Sequence, residues 1–176
     1  TFDGVDDALI NGAGYWKGTT GNQQYNTFIV STNQNAGGVN AAFAENTAQG
    51  WQTMFLPYTG NVHNGLWIGP VPFVASSNQI GTVGMPYLWS GTYNNSSVPK
   101  LNTISQNGKE VGTSALTVAF DGNNSPLYLG GSGNGWQYNG DIAEVAMYAT
   151  DLTPIQRQQI QSYLALKWGI SLDQSV

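Results

Sequence analysis

The sequence predicts an all-β sandwich or barrel ended by one amphipathic helix. Three observations predict it. Short apolar or alternating runs recur between clusters of Gly, Asn, Ser and Pro, the spacing of a sandwich or barrel. Gly, Asn, Gln, Ser and Thr make up 82 of the 176 residues, which suits many turns and a solvent face of amides and hydroxyls. The 21 aromatic residues set the chain apart from disordered sequences of similar polarity, which lack them.

The strand candidates, in order, are Thr27–Ser31, Val39–Ala44, Trp51–Leu56, Leu66–Ile68, Tyr87–Tyr93, Leu101–Ser105, Leu116–Phe120, Leu127–Leu129 and Ile142–Tyr148. Asn107-Gly108 separates Leu101–Ser105 from Lys109–Val111. A type I′ turn needs φ > 0 at both central residues, which Asn and Gly tolerate, so this pair predicts a hairpin. Near the C-terminus the period changes. Thr153 is placed as an N-cap, Pro154 at the first helical position and Gln156 as the partner in a capping box. Ile155, Ile160, Tyr163, Leu164 and Trp168 then recur at helical spacing, and Gly169 supplies the left-handed stop.

The length fits one domain, residues 1–176, with a sizeable core. No repeat or linker divides it. Charged residues are 9% and the net charge is -5. That sign excludes a protein that reads nucleic-acid phosphates. No apolar run of about 18 residues is present, so no membrane-spanning helix is expected. With no cysteine and one histidine, thiol chemistry and multi-histidine metal sites are excluded. Thr1-Phe2-Asp3-Gly4 opens the chain without a secretory leader and reads as an excised domain or a processed product.

Particular residues resemble a known family. Phe2-Asp3-Gly4-Val5-Asp6-Asp7 is similar to the opening strand of the concanavalin A-like lectin/glucanase superfamily, in its laminin-G-like branch. Leu127-Tyr128-Leu129-Gly130-Gly131, Tyr138-Asn139-Gly140-Asp141-Ile142-Ala143-Glu144-Val145-Ala146-Met147-Tyr148 and Leu152-Thr153 resemble its closing pattern: a strand ending in Gly-Gly, a loop, the Gly-Asp-Ile-Ala-Glu-Val strand and a helix. Tyr163-Leu164-Ala165-Leu166-Lys167-Trp168-Gly169 is similar to the tail of bacterial and phage versions. The match covers the last third of the chain and the first ten residues. It implies a jelly-roll sandwich of two antiparallel sheets with one C-terminal α-helix. It also implies a role in holding glycans or protein partners, as a module of a larger secreted, cell-surface or phage protein. Fold alone does not decide function in such a branch.

Glycoside hydrolysis needs two carboxyls about 5–9.5 Å apart. The glucanase branch carries Glu-x-Asp-x-x-Glu on one strand, and that motif is absent. Asp141 and Glu144 are spaced for opposite strand faces, and Glu45 and Glu110 are isolated. Polysaccharide lyases need a His/Tyr pair with a basic residue, whereas Arg157 falls in the helix and His63 in a Gly/Asn-rich stretch expected to be a solvated loop. No nucleophile elbow supports a Ser-His-Asp triad. A non-catalytic carbohydrate-binding module is therefore expected, with a virion structural or receptor-attachment domain as the alternative and a glycan-cleaving enzyme as the second.

Sugars present C–H faces to flat rings and hydroxyls to amides. The candidate ligand residues are Trp136, Gln137 and Tyr138 after the Gly130–Gly135 loop, with Trp89, Tyr93 and Asn94 from the Tyr87–Asn94 strand. The competing reading of Tyr87 and Trp89 is core, and that of Trp136 is cover for the sandwich edge. Trp51 and Trp67 are expected in the core, and Trp168 in the helix–sheet contact. Asp3, Asp6 and Asp7 are the densest acidic cluster. They are candidates for a structural calcium of the kind several superfamily relatives hold, or for accepting backbone N–H bonds in a tight turn; otherwise no cofactor is expected. Sequons at Asn94, Asn95 and Asn123 arise by chance in so Asn-rich a chain. The expected partner is a glycan or surface polysaccharide, with protein partners in an assembly also open, and the expected location is extracellular, cell-surface or virion.

Overall fold

The computed structural model describes residues 1–13, 24–47, 50–68, 71–94, 99–116, 122–132 and 134–173. Residues 117–120 of the Leu116–Phe120 run, the sequon residues 95–97 and Gly133 lie outside these. The described strands are β1 (Phe2–Asp3), β2 (Leu9–Asn11), β3 (Tyr25–Asn33), β4 (Val39–Thr47), β5 (Trp51–Tyr58), β6 (Asn61–Ile68), β7 (Val71–Ser77), β8 (Pro86–Asn94), β9 (Lys100–Gln106), β10 (Lys109–Leu116), β11 (Gly122–Leu129) and β12 (Asn139–Tyr148). They form two six-stranded antiparallel sheets. The first runs β1-β12-β3-β8-β9-β10 and the second β2-β11-β4-β5-β6-β7. The helix α1 spans Pro154–Trp168. This is the expected jelly-roll sandwich.

Period-two alternation decides which side chains meet between the sheets. From the first sheet come Ile29, Trp89, Ile104 and Tyr138. Facing them from the second are Phe43, Met54, Leu56, Val62, Ala75 and Leu127. Gly91 also faces inward. A Cβ there would lie 2.4 Å from Asn64 Oδ1, so the gap that glycine leaves in the β8 aromatic row is filled by the Asn64 amide. That amide donates to the Thr103 carbonyl at 2.9 Å.

The Asn107-Gly108 hairpin forms as expected, with φ of 50° and 86°. Thr153 caps α1, both arms of its capping box are present, and Gly169 is left-handed at φ 66°. The helix lies on the outer face of the first sheet, where Leu164 and Ala165 join Phe28, Val30 and Leu88. The buried stripe is narrower than the sequence suggests. Ile160 is partly buried, whereas Ile155 and Tyr163 are exposed. Trp168 keeps its contact with the sheet by donating from Nε1 to Glu144 Oε2 at 2.7 Å. A register shift between Ile142 and Glu144 turns Ile142 toward the inner core while Ala146 and Tyr148 face the helix. The strict alternation expected along β12 is broken by this bulge.

Candidate functional site

The outer face of the second sheet carries a row of rings. On β5, Met54 and Leu56 point inward, so Trp51, Thr53 and Phe55 point outward. On β6, Val62 points inward and His63, Gly65 and Trp67 outward. The register sets Trp51 opposite Trp67, Thr53 opposite Gly65 and Phe55 opposite His63. Trp136 reaches this face from the β11–β12 loop. It packs edge-on against Trp51 at 5.7 Å and Phe55 at 5.3 Å between centroids. Tyr58 and His63 close the other end, 5.1 and 5.9 Å from Trp67. Aromatic pairs of this geometry contribute about 0.5–1.5 kcal/mol each beyond burial.

Phe55 is fully buried beneath the row, while Trp51, Tyr58, His63, Trp67 and Trp136 are partly exposed. Between the two ends lie Thr53 and Gly65, opposite each other and both buried. Thr53 Oγ1, Trp67 Nε1 and both His63 ring nitrogens are covered and make no hydrogen bond with a described residue. Burial holds the His63 pKa below its ordinary value, and the nearby Tyr58 backbone offsets this in part. The imidazole is therefore kept neutral, which suits a surface that meets an uncharged ligand. Its position corrects the sequence expectation. His63 is on strand β6 rather than in a loop, because pairing with β5 and β7 on both sides overrides the local Gly/Asn signal. Trp51 and Trp67, expected in the sandwich core, belong to this outer row.

The six expected ligand residues do not form one site. Trp136 lies in the ring row. Trp89, Tyr93 and Tyr138 are buried, at 0%, 1% and 0% exposure, so none offers a face for stacking, and they are reassigned to the interior. Tyr138 Oη donates to Asn33 Oδ1. Tyr93 rests 5.9 Å from Tyr25, and burial pushes its pKa up to about 12. Gln137 is turned inward, with its Oε1 2.2 Å from where a Cβ on Gly131 would stand. Asn94 is on the other sheet, donating to Asp151 Oδ2 at 3.3 Å.

Asp3, Asp6 and Asp7 do not fit a calcium ion. Asp3 Oδ1 accepts the Val5 N–H at 2.8 Å and Asp7 Oδ2 accepts the Asp3 N–H at 3.3 Å. Among the described residues no three His, Cys, Asp or Glu side chains come together as a metal site. The Asp3 and Asp7 carboxylates serve the turn instead. The glutamates are dispersed. Glu45 is buried opposite Gln52, Glu110 is exposed on β10, and Glu144 is bound to Trp168 and, at 3.0 Å, to Lys167.

No family model matches the sequence, and no curated protein does either. Solved structures do match. A CBM40 module of the Ruminococcus gnavus sialidase, solved with α2,3-sialyllactose, superposes with a TM-score of 0.63. The match covers 81% of this chain and 83% of that one at 11% identity. Domain 4 of AbnA, an extracellular arabinanase of Geobacillus stearothermophilus, solved with arabinotriose, gives 0.58 over 81% and 68% at 16% identity. Mouse laminin α1 domains LG4-5 give 0.60 over 86% of this chain and 43% of that fragment at 11% identity. What this chain shares with all three is the lectin-like jelly-roll fold.

Proposed function

We propose that the chain is a non-catalytic carbohydrate-binding module that holds its glycan across the outer face of the second sheet. The observation that carries this reading is the ring row Trp51–Trp136–Phe55–Trp67, with three partly exposed indoles around a floor of Thr53 and Gly65. Indole faces receive the C–H side of a sugar ring. The dispersed glutamates support binding without cleavage. The sialyllactose and arabinotriose held by the two bacterial structures support the same ligand class. Such a module works outside the cell, attached to a larger secreted or surface protein. No helix among the described residues is long and apolar enough to cross a membrane.

A glycan array followed by calorimetry on the best hit tests the reading. Trp136→Ala should weaken binding about three- to tenfold, since an aromatic contact contributes about 0.5–1.5 kcal/mol. Thermal melting should show the variant folded. Absence of any glycan ligand, or a Trp136→Ala variant that binds unchanged, overturns the proposal.

One observation favours a role in assembly as a second reading. The outward side of α1 presents Ile155, Tyr163 and Leu166, the last 86% exposed, and apolar side chains grouped on a surface mark contact sites. Light scattering should then show an oligomer that Leu166→Glu returns to a monomer. A monomer at all concentrations removes this reading.

A further inference from the structure

The outer face of the first sheet is only half covered by the helix. On β8, Leu88 lies under α1 in the apolar cluster. Beyond it the same face continues as Ser90, Thr92 and Asn94, and on β9 as Thr103 and Ser105 beside Leu101. This polar strip is the floor of a groove of about 700 Å³, within the usual range for small-ligand sites, about 300–1,000 Å³. One wall is α1, through Pro154, Arg157, Gln158 and Gln161. The opposite rim is Glu110.

The charges in the groove are largely spent. Arg157 lies 3.7 Å from Asp151 and donates to the Leu152 carbonyl. Asp173 lies 3.6 Å from Lys109. Among the described residues of the lining, Glu110 is the acidic group outside any ion pair. Two floor contacts are fixed: Thr92 and Thr103 share a hydrogen bond of 2.7 Å, and Gln161 Nε2 donates to Ser90 Oγ at 3.1 Å. Ser105, Gln158 and Ser162 also line the groove, and their side chains make no hydrogen bond among the described residues. No aromatic ring is among the described residues that line it.

We infer that this groove is a second binding site, for a short neutral oligosaccharide held by hydrogen bonds rather than by stacking. Hydroxyl and amide side chains offer both donors and acceptors, which matches a polyol, and the Glu110 carboxylate accepts from sugar hydroxyls strongly. The same carboxylate disfavours a polyanion. A basic peptide is the competing occupant, because it would pair with Glu110. The ring row on the second sheet plays no part in this site, so each can stand or fall without the other.

Chemical-shift mapping on the ¹⁵N-labelled chain separates them. The probes are cellotriose, xylotriose and arabinotriose, with tetralysine as the competitor. Saturable shifts at the amides of Thr103, Ser105, Gln158 and Gln161 on adding a trisaccharide are expected, and they should persist in Trp136→Ala. Glu110→Gln should weaken the binding about tenfold, because hydrogen bonds to charged acceptors are the stronger ones. Ser105→Trp should block it by filling the floor. Gln158→Ala, at an exposed helix position, should weaken it without risk to folding. Shifts confined to β5 and β6 overturn the groove site and leave the ring-row reading intact. Shifts at neither place with any probe overturn both. Groove shifts with tetralysine alone overturn the sugar assignment.

Discussion

His63 is held among Tyr58 and Trp67 in a setting that disfavours charge. Its pKa in the fold lies below the ordinary 6.5 because burial penalises the imidazolium. Above that ordinary value the ring is neutral whether the chain is folded or not, and this residue lends no pH dependence. As pH falls through about 6.5 the unfolded chain takes up the proton first, so stability drops until the lower folded-state pKa is passed. Urea melts between about pH 7.5 and pH 5.5 should show a falling midpoint, and His63→Gln should flatten that slope. An unchanged slope in the variant would show that the ring is not shielded. The sequence marked His63 as the one histidine, in a Gly/Asn-rich stretch that reads as a loop. Neither its strand nor its aromatic neighbours can be read locally, because both come from β5 and β6 pairing.

Among the elements, α1 was the most legible, since its signals are local: a capping residue, Pro154, a helical period and Gly169. Thr153→Ala removes the bond that the Gln156 N–H makes to Thr153 Oγ1 at 3.3 Å and the one that Oγ1 donates to Gln156 Oε1 at 3.0 Å, while the return bond from the residue-153 N–H to Gln156 Oε1 survives. It should cost about 0.5–2 kcal/mol, visible as a lower melting temperature with glycan binding on the second sheet unchanged. Strands are less legible for a geometric reason. Period two tells which residues share a face but not which face is inward. Tyr87, Trp89 and Tyr93 on β8 and Trp51 and Phe55 on β5 present the same kind of pattern. The first set faces the core and the second faces out, because α1 covers the outer side of the first sheet and takes Leu88 for that contact. Only the tertiary arrangement breaks the tie. Strand β7 was missed altogether. It carries Pro72, and β7 ends its sheet, where a missing N–H is tolerated.

At the scale of the whole molecule, the fold separates two outer faces with different chemistry. One is lined by rings, and the other is shared between a docked helix and a polar strip. The charge inventory bears on both. Ten acidic and five basic residues stand in a chain made largely of amide, hydroxyl and glycine residues, and one of them, Glu45, is buried. The four ion pairs found among the described residues are at least partly exposed, and such pairs contribute only about 0–1 kcal/mol each. Cohesion therefore rests on the core between the sheets and on the apolar seat of α1, neither of which salt screens. Raising sodium chloride from about 0.02 M to about 0.5 M should leave the unfolding midpoint nearly unchanged. Affinity for a neutral glycan should also be unmoved, because ring stacking and uncharged hydrogen bonds carry it. If affinity falls steeply with salt instead, charge attraction is holding the ligand. The ligand would then be ionic and the ring row would not be its principal contact.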